Sequence, residues 1–215
     1  MSNLSQTIGN MTFKSPIVAA SGPLTDSVDK IKRLEEAGVG AVSTKVTLFH
    51  QPIKGYRRMY AAPGLFNFNP SDIRYDFEEG VELVRKAREA VTIPIFANIA
   101  GRGDNLESWI AIGKAMEEAG ADAVELNFCC PNMAFSKDPD TGKEIKVAIG
   151  RSPVIIGKIT ETLKKELNIP VWVKASGTNV DHMVFAKAIE AAGADGITIN
   201  GAQLAAPPID IYSRG

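Results

Sequence analysis

Cysteine and histidine are scarce in this chain, and their scarcity limits the chemistry that it can carry. Among its 215 residues there are two cysteines and two histidines. The cysteines, Cys129 and Cys130, are adjacent and cannot join distant segments, which is typical of a protein from a reducing compartment. No Cys-x-x-Cys motif or Cys/His cluster occurs. We therefore interpret His50 and His182 as non-ligands and predict no metal site.

Charge of one sign and long apolar runs are also lacking. The chain has 24 Lys and Arg against 25 Asp and Glu, a formal net charge of -1, with no long run of either sign. This balance argues against a nucleic-acid partner. The N-terminus has no apolar signal region, and no apolar run approaches the length of a membrane span. We expect a cytoplasmic protein with no membrane partner.

What the chain does contain is one eight-residue pattern in three copies. Glu35-Glu-Ala-Gly-Val-Gly-Ala-Val42 recurs, with changes in each case, as residues 117–124 and as residues 190–197. Each copy predicts the end of a helix, a glycine in the left-handed conformation at its C-terminal cap, and a short turn into a buried strand. Three copies of this joint predict repeated βα units around a parallel sheet.

Apolar runs and capping residues extend this pattern along the chain. After an N-terminal β-hairpin around Gly9-Asn10, core strands are predicted near residues 17–20, 41–45, 94–98, 123–127, 170–174 and 196–200. Helices are predicted near residues 26–37, 78–90, 105–119, 153–167 and 181–192. The fold class expected is α/β, a (β/α)8 TIM barrel that stops after its sixth strand.

Two connections are too long to be plain turns. Residues 46–77 follow the second predicted core strand, and residues 128–151 follow the fourth. Long loops on a compact domain are usually lids or binding loops. Because both follow the C-terminal ends of strands, we expect them to close over one site.

Polar residues stand where the predicted core strands end. They are Ser21, Lys45, Asn98, Asn127 with Cys130, Lys174 and Asn200. In a parallel barrel these positions converge on one mouth. A lysine that closes an apolar strand is costly unless it is paired or touches a ligand. A fixed cation stabilises a reduced flavin, and asparagine amides suit a planar imide, so this pattern indicates flavin chemistry.

The densest of these stretches is Asn127-Phe-Cys-Cys-Pro-Asn132, where Pro131 prevents a helix from starting. It resembles the Asn-x-Ser-Cys-Pro-Asn segment of the soluble, FMN-dependent dihydroorotate dehydrogenases, and the flavin domain of dihydropyrimidine dehydrogenase has a close variant. The resemblance extends over nearly the whole chain. In both groups the cysteine before the proline is the catalytic base, which implies that role for Cys130. Cys129 stands where the family usually has serine.

The resemblance implies two overlapping sets of ligand contacts. The positions that match FMN contacts are Ala20, Ser21, Lys45, Asn98, Asn127 and Lys174. The positions that match contacts to the pyrimidine are Lys45, Asn67, Asn127, Asn132 and Asn200. Lys45 lies close to both ligands in the family and joins Cys130 in the catalytic set. Asn200 is followed by Gly201, where relatives usually have a hydroxyl residue.

The activity implied is FMN-dependent oxidoreduction at the C5–C6 bond of a dihydropyrimidine, with dihydroorotate as the first choice of substrate. One alternative is the uracil or thymine reduction of dihydropyrimidine dehydrogenase. Another is a barrel aldolase that uses Lys174 as a Schiff-base nucleophile, and a third is a non-catalytic fragment that only binds or assembles. The chain has no iron–sulfur motif of its own, so any such cluster would lie on a partner or on a missing segment. An electron-transfer partner subunit with an iron–sulfur cluster or FAD is therefore one expectation. We also expect a homo-oligomer.

The number of predicted units is smaller than a whole barrel requires. A (β/α)8 barrel has eight strands, and its phosphate site usually follows strands seven and eight. We therefore expect residues 1–215 to be a single FMN-binding barrel domain with about six of the eight units, and to belong to a longer polypeptide. The two further units would carry the FMN phosphate site. Without them, the open sheet edges would promote pairing or aggregation.

Overall fold

A computed structural model describes residues 4–9, 11–49, 58–62, 65–69, 74–129, 149–177 and 180–200, with the backbone alone for 58–62, 65–69 and Asn200. The strands are β1 (Gln6–Ile8), β2 (Met11–Phe13), β3 (Val18–Ala19), β4 (Ala41–Ser43), β5 (Thr47–Leu48), β6 (Arg58–Ala62), β7 (Leu65–Asn69), β8 (Ile95–Ala100), β9 (Ala123–Asn127), β10 (Val171–Ser176) and β11 (Gly196–Asn200). The helices are α1 (Val28–Glu36), α2 (Phe77–Ala90), α3 (Leu106–Glu118), α4 (Pro153–Glu166) and α5 (His182–Ala191).

One parallel sheet organises the described residues. Its strand order is β11-β10-β9-β8-β4-β3, with β5 also paired to β8. Helices lie between consecutive core strands, as parallel crossover connections require, and β1 and β2 form an antiparallel hairpin. The predicted fold class is confirmed, because these strands form a half-barrel of the (β/α)8 type, preceded by the N-terminal β-hairpin.

The helix-to-strand joint repeats in three dimensions as it does in the sequence. Gly38, Gly120 and Gly193 follow α1, α3 and α5 with φ of 88°, 92° and 79°, the left-handed region that glycine enters without a steric penalty. The first glutamate of the joint reaches the loop before a neighbouring strand. Glu35 accepts the Thr92 backbone N–H at 2.9 Å, and Glu117 accepts that of Asn168 at 2.9 Å.

The outer face of the sheet holds the main hydrophobic core. Strand residues alternate between the two faces, and those on the outer face are Val42, Ile95, Ala97, Ile99, Val124, Leu126, Val171 and Val173. The helices cover them with an apolar stripe that includes Leu83, Trp109, Ile112, Met116, Ile156, Ile159, Leu163 and Ile189. Each large side chain buried in this way contributes roughly 1.5–3 kcal/mol. This packing fixes which strand residues face inward.

The N-terminal hairpin closes the inner face at the end where the strands begin. Met11 and Phe13 pack against Ala41, Ala123 and Phe96 in a second, smaller apolar cluster. The Phe13 and Phe96 rings lie 6.1 Å apart, and Trp172 meets the Phe96 ring edge-on at 5.0 Å. The hairpin therefore leaves only the other end of the inner face, at the C-terminal ends of the strands, for a ligand.

The structure adds features that the sequence patterns did not reveal. The connection between β5 and α2 contains the antiparallel hairpin β6–β7, within residues that the sequence indicated only as a long loop. At the outermost strands, β3 and β11, large apolar side chains are exposed, namely Val18, Ile197 and Ile199, together with Ile17 just before β3. Among the described helices, none is both long and apolar enough to cross a membrane.

Candidate active site

On the inner face of the sheet, an apolar residue near the start of each of four strands is followed two residues later by a polar one. Phe96 is followed by Asn98 on the same face of β8, Ala123 by Glu125 on β9, Trp172 by Lys174 on β10, and Ala41 by Ser43 on β4. The four polar residues are at most 4% exposed. Strand pairing sets Asn98 opposite Glu125 and Lys174 opposite Asn127. These strands therefore bring a buried polar layer together above the apolar cluster.

A chain of side-chain hydrogen bonds links this layer. Glu125 Oε2 accepts from Ser43 Oγ at 2.5 Å and from Asn98 Nδ2 at 2.6 Å. Asn98 Oδ1 accepts from Asn127 Nδ2 at 2.8 Å, and Asn127 Oδ1 accepts from Cys129 Sγ at 3.3 Å. The two asparagines predicted to contact FMN are thus in direct contact with each other, and the chain reaches the residue before Cys130.

Lys174 is the least compensated charge in this layer. Its side chain is 3% exposed, yet among the described residues nothing forms a hydrogen bond or ion pair with its ammonium group. Removing a cation from water without a partner is costly. An electron-rich ligand against this ammonium would supply the missing partner.

Lys45 does not lie in regular strand structure, although the sequence predicted a strand to residue 45. Ser43 pairs with Phe96, and Thr47 pairs with Ile99. Thr47 is four residues after Ser43, but Ile99 is only three residues after Phe96, so the segment from β4 to β5 contains one extra residue. The extra residue is a bulge, a device that re-aims side chains near functional sites. Lys45 lies inside it and is 5% exposed. Its backbone N–H donates to the carbonyl oxygen of Thr25 at 2.9 Å.

This bond connects Lys45 to the turn that follows β3. Ala20 and Ser21 lead into that turn, where the Gly22 N–H donates to Thr25 Oγ1 at 3.1 Å and the Thr25 N–H donates to the Gly22 carbonyl at 3.2 Å. Thr25 is fully buried. The turn and the bulge thus hold each other at the same end of the sheet as the polar layer.

The remaining predicted site residues are only partly described. Asn200 is the last residue of β11 and pairs with Ser176 of β10, which puts its backbone at the predicted end of the sheet. Asn67 lies in β7, opposite Tyr60. Cys130 and Asn132 lie outside the described residues, so their predicted roles stay predictions.

Glu125 and Ser43 were missed by the sequence reasoning. The segment Val124 to Leu126 was interpreted as an apolar run, although Glu125 stands in its middle. The signal was available, because Glu125 precedes Asn127 by two residues and must share its face in a strand. A carboxylate within an otherwise apolar strand is rare unless it is paired.

The architecture by itself defines the class of protein. A parallel α/β half-barrel with buried lysines and asparagines near the C-terminal ends of its strands is the arrangement of a barrel enzyme. The family model for dihydroorotate dehydrogenase matches residues 3–211. The chain belongs to the dihydroorotate dehydrogenase family.

Individual relatives agree with this assignment. The chain is 31% identical over 220 residues to a putative dihydroorotate dehydrogenase A (fumarate) of Aeropyrum pernix, covering 98% of this chain and 65% of the relative. It is 30% identical over 224 residues to the catalytic subunit of dihydroorotate dehydrogenase B (NAD(+)) of Thermoplasma volcanium, covering 100% and 66%. For the protein of the same name from Bacillus mycoides the identity is 31% over 206 residues, covering 93% and 62%. The chain thus spans about two thirds of the length of these relatives.

Proposed function

We propose that this chain forms the FMN-binding site of an oxidoreductase that acts on the C5–C6 bond of a dihydropyrimidine, with dihydroorotate as the substrate. The observation that carries the proposal is the buried Lys174 ammonium, which the described residues leave without a counter-ion. It lies opposite Asn127 in a layer of amide donors. The family membership and the names of the relatives favour dihydroorotate over dihydrouracil or dihydrothymine.

The residues present fit a flavin. Asn98 and Asn127 each keep one side-chain N–H for which the described residues supply no acceptor. Flavin and pyrimidine rings both carry carbonyl oxygens that accept such hydrogen bonds. Lys174 and Lys45 would bring positive charge to an electron-rich ring. With the loop residues Ala20 and Ser21, these four residues form the proposed FMN-binding set.

The flavin, when bound, would supply the acceptor for the hydride that leaves C6 of the substrate. The chain's own part is to move a proton and to hold the pyrimidine. As a thiolate, Cys130 would remove the proton from C5, and as a thiol it would return that proton in the reverse direction. Lys45 would favour the thiolate by its charge. The pyrimidine would be held by carboxamides, namely Asn67, Asn127, Asn132 and Asn200.

A partner subunit for electron transfer also belongs to the proposal. Two of the similar proteins are named catalytic subunits of an NAD(+)-type enzyme, and a third is named for fumarate. The acceptor can be identified by supplying fumarate or NAD⁺ to the purified protein, with and without co-purifying subunits. Turnover with fumarate by the catalytic chain alone would count against a need for a partner.

The decisive experiment is the absorption spectrum of the purified full-length protein, followed by addition of dihydroorotate without oxygen. We expect a flavin spectrum that is bleached by dihydroorotate and much more slowly by dihydrouracil. A colourless protein that is inactivated by borohydride in the presence of a carbonyl substrate would instead support the Schiff-base aldolase that uses Lys174. Faster bleaching by dihydrouracil would assign the chain to dihydropyrimidine dehydrogenase chemistry.

A further inference from the structure

Glu125 lies near one end of the hydrogen-bond chain that contains both proposed flavin-binding asparagines, between Ser43 and Asn98. It is 4% exposed, and a single oxygen, Oε2, accepts both the Ser43 hydroxyl and the Asn98 amide. Within the described part of the chain, Glu125 lies on the inner face between the apolar cluster and Asn127. Glu125 belongs neither to the proposed FMN-binding set nor to the proposed pyrimidine contacts.

The chemistry of this end determines the direction of every later bond. An asparagine side chain can be turned over, which exchanges its donor and acceptor ends, whereas a carboxylate only accepts. With a carboxylate at position 125, Asn98 must direct its NH₂ group toward Glu125. Its Oδ1 then faces Asn127, which must answer with its own NH₂ group. Asn127 Oδ1 is left to accept from Cys129.

We propose that Glu125 is a positioning residue that fixes the orientation of the Asn98 and Asn127 amides toward the flavin and the pyrimidine. The inference rests on the proposed function, in which the remaining N–H groups of these amides donate to the flavin and the pyrimidine. In the orientation imposed by Glu125, the spare group on each amide is an N–H. The site therefore selects ligand edges that present acceptors, such as ring carbonyls.

A purely structural role explains the arrangement less well. Buried polar networks can often be replaced by apolar side chains of similar volume without loss of stability. The backbone ladder already sets the alignment of these strands, since Asn98 is paired with Glu125 and Lys174 with Asn127. The carboxylate is not needed for the register, whereas the direction of both amides depends on it.

Three variants of the full-length protein test whether the carboxylate sets the orientation of the two amides. Glu125→Met removes the oxygen acceptor at similar length, so the amides can turn over. Glu125→Gln keeps the length and an acceptor oxygen, but its own amide can present either end to Asn98, so it imposes no direction. Ser43→Ala is the matched control, because it removes a bond to the same carboxylate oxygen without touching either asparagine. FMN affinity is measured by fluorescence quenching on the flavin-free proteins, together with the KM for dihydroorotate.

We expect Glu125→Met to weaken FMN binding about tenfold or more, the loss typical of a misplaced buried donor, and to raise KM more than it lowers kcat. Glu125→Gln should lie between Glu125→Met and the wild type, because its amide can still present its oxygen to Asn98. Ser43→Ala should stay within about twofold of the wild type. The proposal is overturned if Glu125→Met matches Ser43→Ala. A wild-type protein that binds no FMN would overturn the proposed function as well, whereas the former outcome leaves that function intact.

A measurement on the wild type avoids any failure of the variants to fold. Neutron diffraction distinguishes the nitrogen and oxygen ends of each amide. We expect deuterium on Asn98 directed at Glu125 and deuterium on Asn127 directed at Asn98. The reverse orientation of either amide would overturn the proposal even if every variant lost FMN.

Discussion

The carboxylate of Asp122 accepts the backbone N–H of Ile95 on the neighbouring strand, with Oδ2 2.8 Å from the nitrogen. The same oxygen lies 2.7 Å from Arg88 of α2. In the third copy of the joint, Asp195 Oδ2 likewise accepts the N–H of Val171 at 2.7 Å. In these two joints an aspartate thus ties the start of one strand to the next.

Asp122→Ala should lower the free energy of unfolding by about 1–3 kcal/mol, because it leaves the partly buried backbone N–H of Ile95 without its acceptor. Chemical denaturation of the full-length protein measures this loss. Glu118→Ala is the matched control, since Glu118 is exposed in the same joint and should change stability by no more than about 0.5 kcal/mol. Equal effects of the two substitutions would contradict the role of Asp122.

This joint explains how much of the fold could be predicted from the sequence. Glycine cap, small-residue turn and apolar strand are local features, so their repetition revealed helix and strand boundaries to within about two residues. The first copy differs at the aspartate position, where Gly40 stands instead. A side chain there would meet the Ser15 carbonyl oxygen at 1.9 Å. Because this close approach joins segments that are distant in sequence, no local sequence pattern predicts it.

The features of the site that were not predicted also depend on contacts between segments distant in sequence. The bulge that contains Lys45 exists because β4, β5 and β8 pair in two registers, which is a property of three segments together. The charge of Glu125 within a buried strand was a local signal that was overlooked, but its hydrogen bonds to Ser43 and Asn98 join three strands and could not be predicted. Asn98, Asn127 and Lys174 were predicted as site residues because a polar residue in a buried parallel strand is conspicuous by itself.

Stability should fall in acid because of Glu35. Partial burial raises the pKa of Glu35, but hydrogen bonds from the Thr92 hydroxyl and backbone N–H, with the nearby Lys14 ammonium, together bring that pKa below its ordinary value of 4.5. A lowered folded-state pKa stabilises the fold above the ordinary value, and this stabilisation is lost as the pH falls through the lowered value. Glu35→Gln should therefore flatten the decline in stability below about pH 4.5.

The measurement is the urea midpoint between neutral pH and mild acid. Glu36→Gln serves as the control for the loss of one carboxylate, because Glu36 is the exposed neighbour in the same joint. A slope of stability against pH in Glu35→Gln that equals that of the wild type would contradict the assignment.

Lys174→Met should separate stability from ligand binding. Without ligand, the buried ammonium is a cost, so the flavin-free variant should be as stable as the wild type or more so. With its cation removed, the site should bind FMN about tenfold or more weakly. Thermal melting with and without FMN measures both effects. Lys187→Met, at an exposed position of α5, is the control, and a loss of FMN binding in that variant as well would count against a specific role of Lys174.

Gly150→Ala should disturb the segment that leads to Cys130. A Cβ at position 150 would lie 2.1 Å from the carbonyl oxygen of Phe128, so the backbone at residue 128 would have to move. The N–H of Phe128 donates to the carbonyl of Lys174 at 2.9 Å, which makes that movement costly. We expect a loss of about 1–3 kcal/mol in stability and a fall in kcat with dihydroorotate.

Gly157→Ala, in the middle of α4, is the matched control for this substitution. Its Cβ would meet only the Ala188 carbonyl oxygen, at an ordinary distance of 3.6 Å. Because alanine is the better helix former, this variant should be unchanged or stabilised by up to about 1 kcal/mol. Full activity in Gly150→Ala would show that the segment after β9 tolerates the shift.

The two adjacent cysteines should differ sharply in their importance. Cys130→Ala should retain FMN but lose roughly 10²–10⁴-fold in turnover with dihydroorotate, the range that one proton-transfer residue contributes. Cys129→Ser should keep nearly full activity, because a serine hydroxyl can still donate to Asn127 Oδ1 as the Cys129 thiol does at 3.3 Å. Steady-state kinetics and the bound-flavin spectrum of each variant provide the comparison. Loss of activity in Cys129→Ser with activity retained in Cys130→Ala would mean that the catalytic base has been assigned to the wrong cysteine.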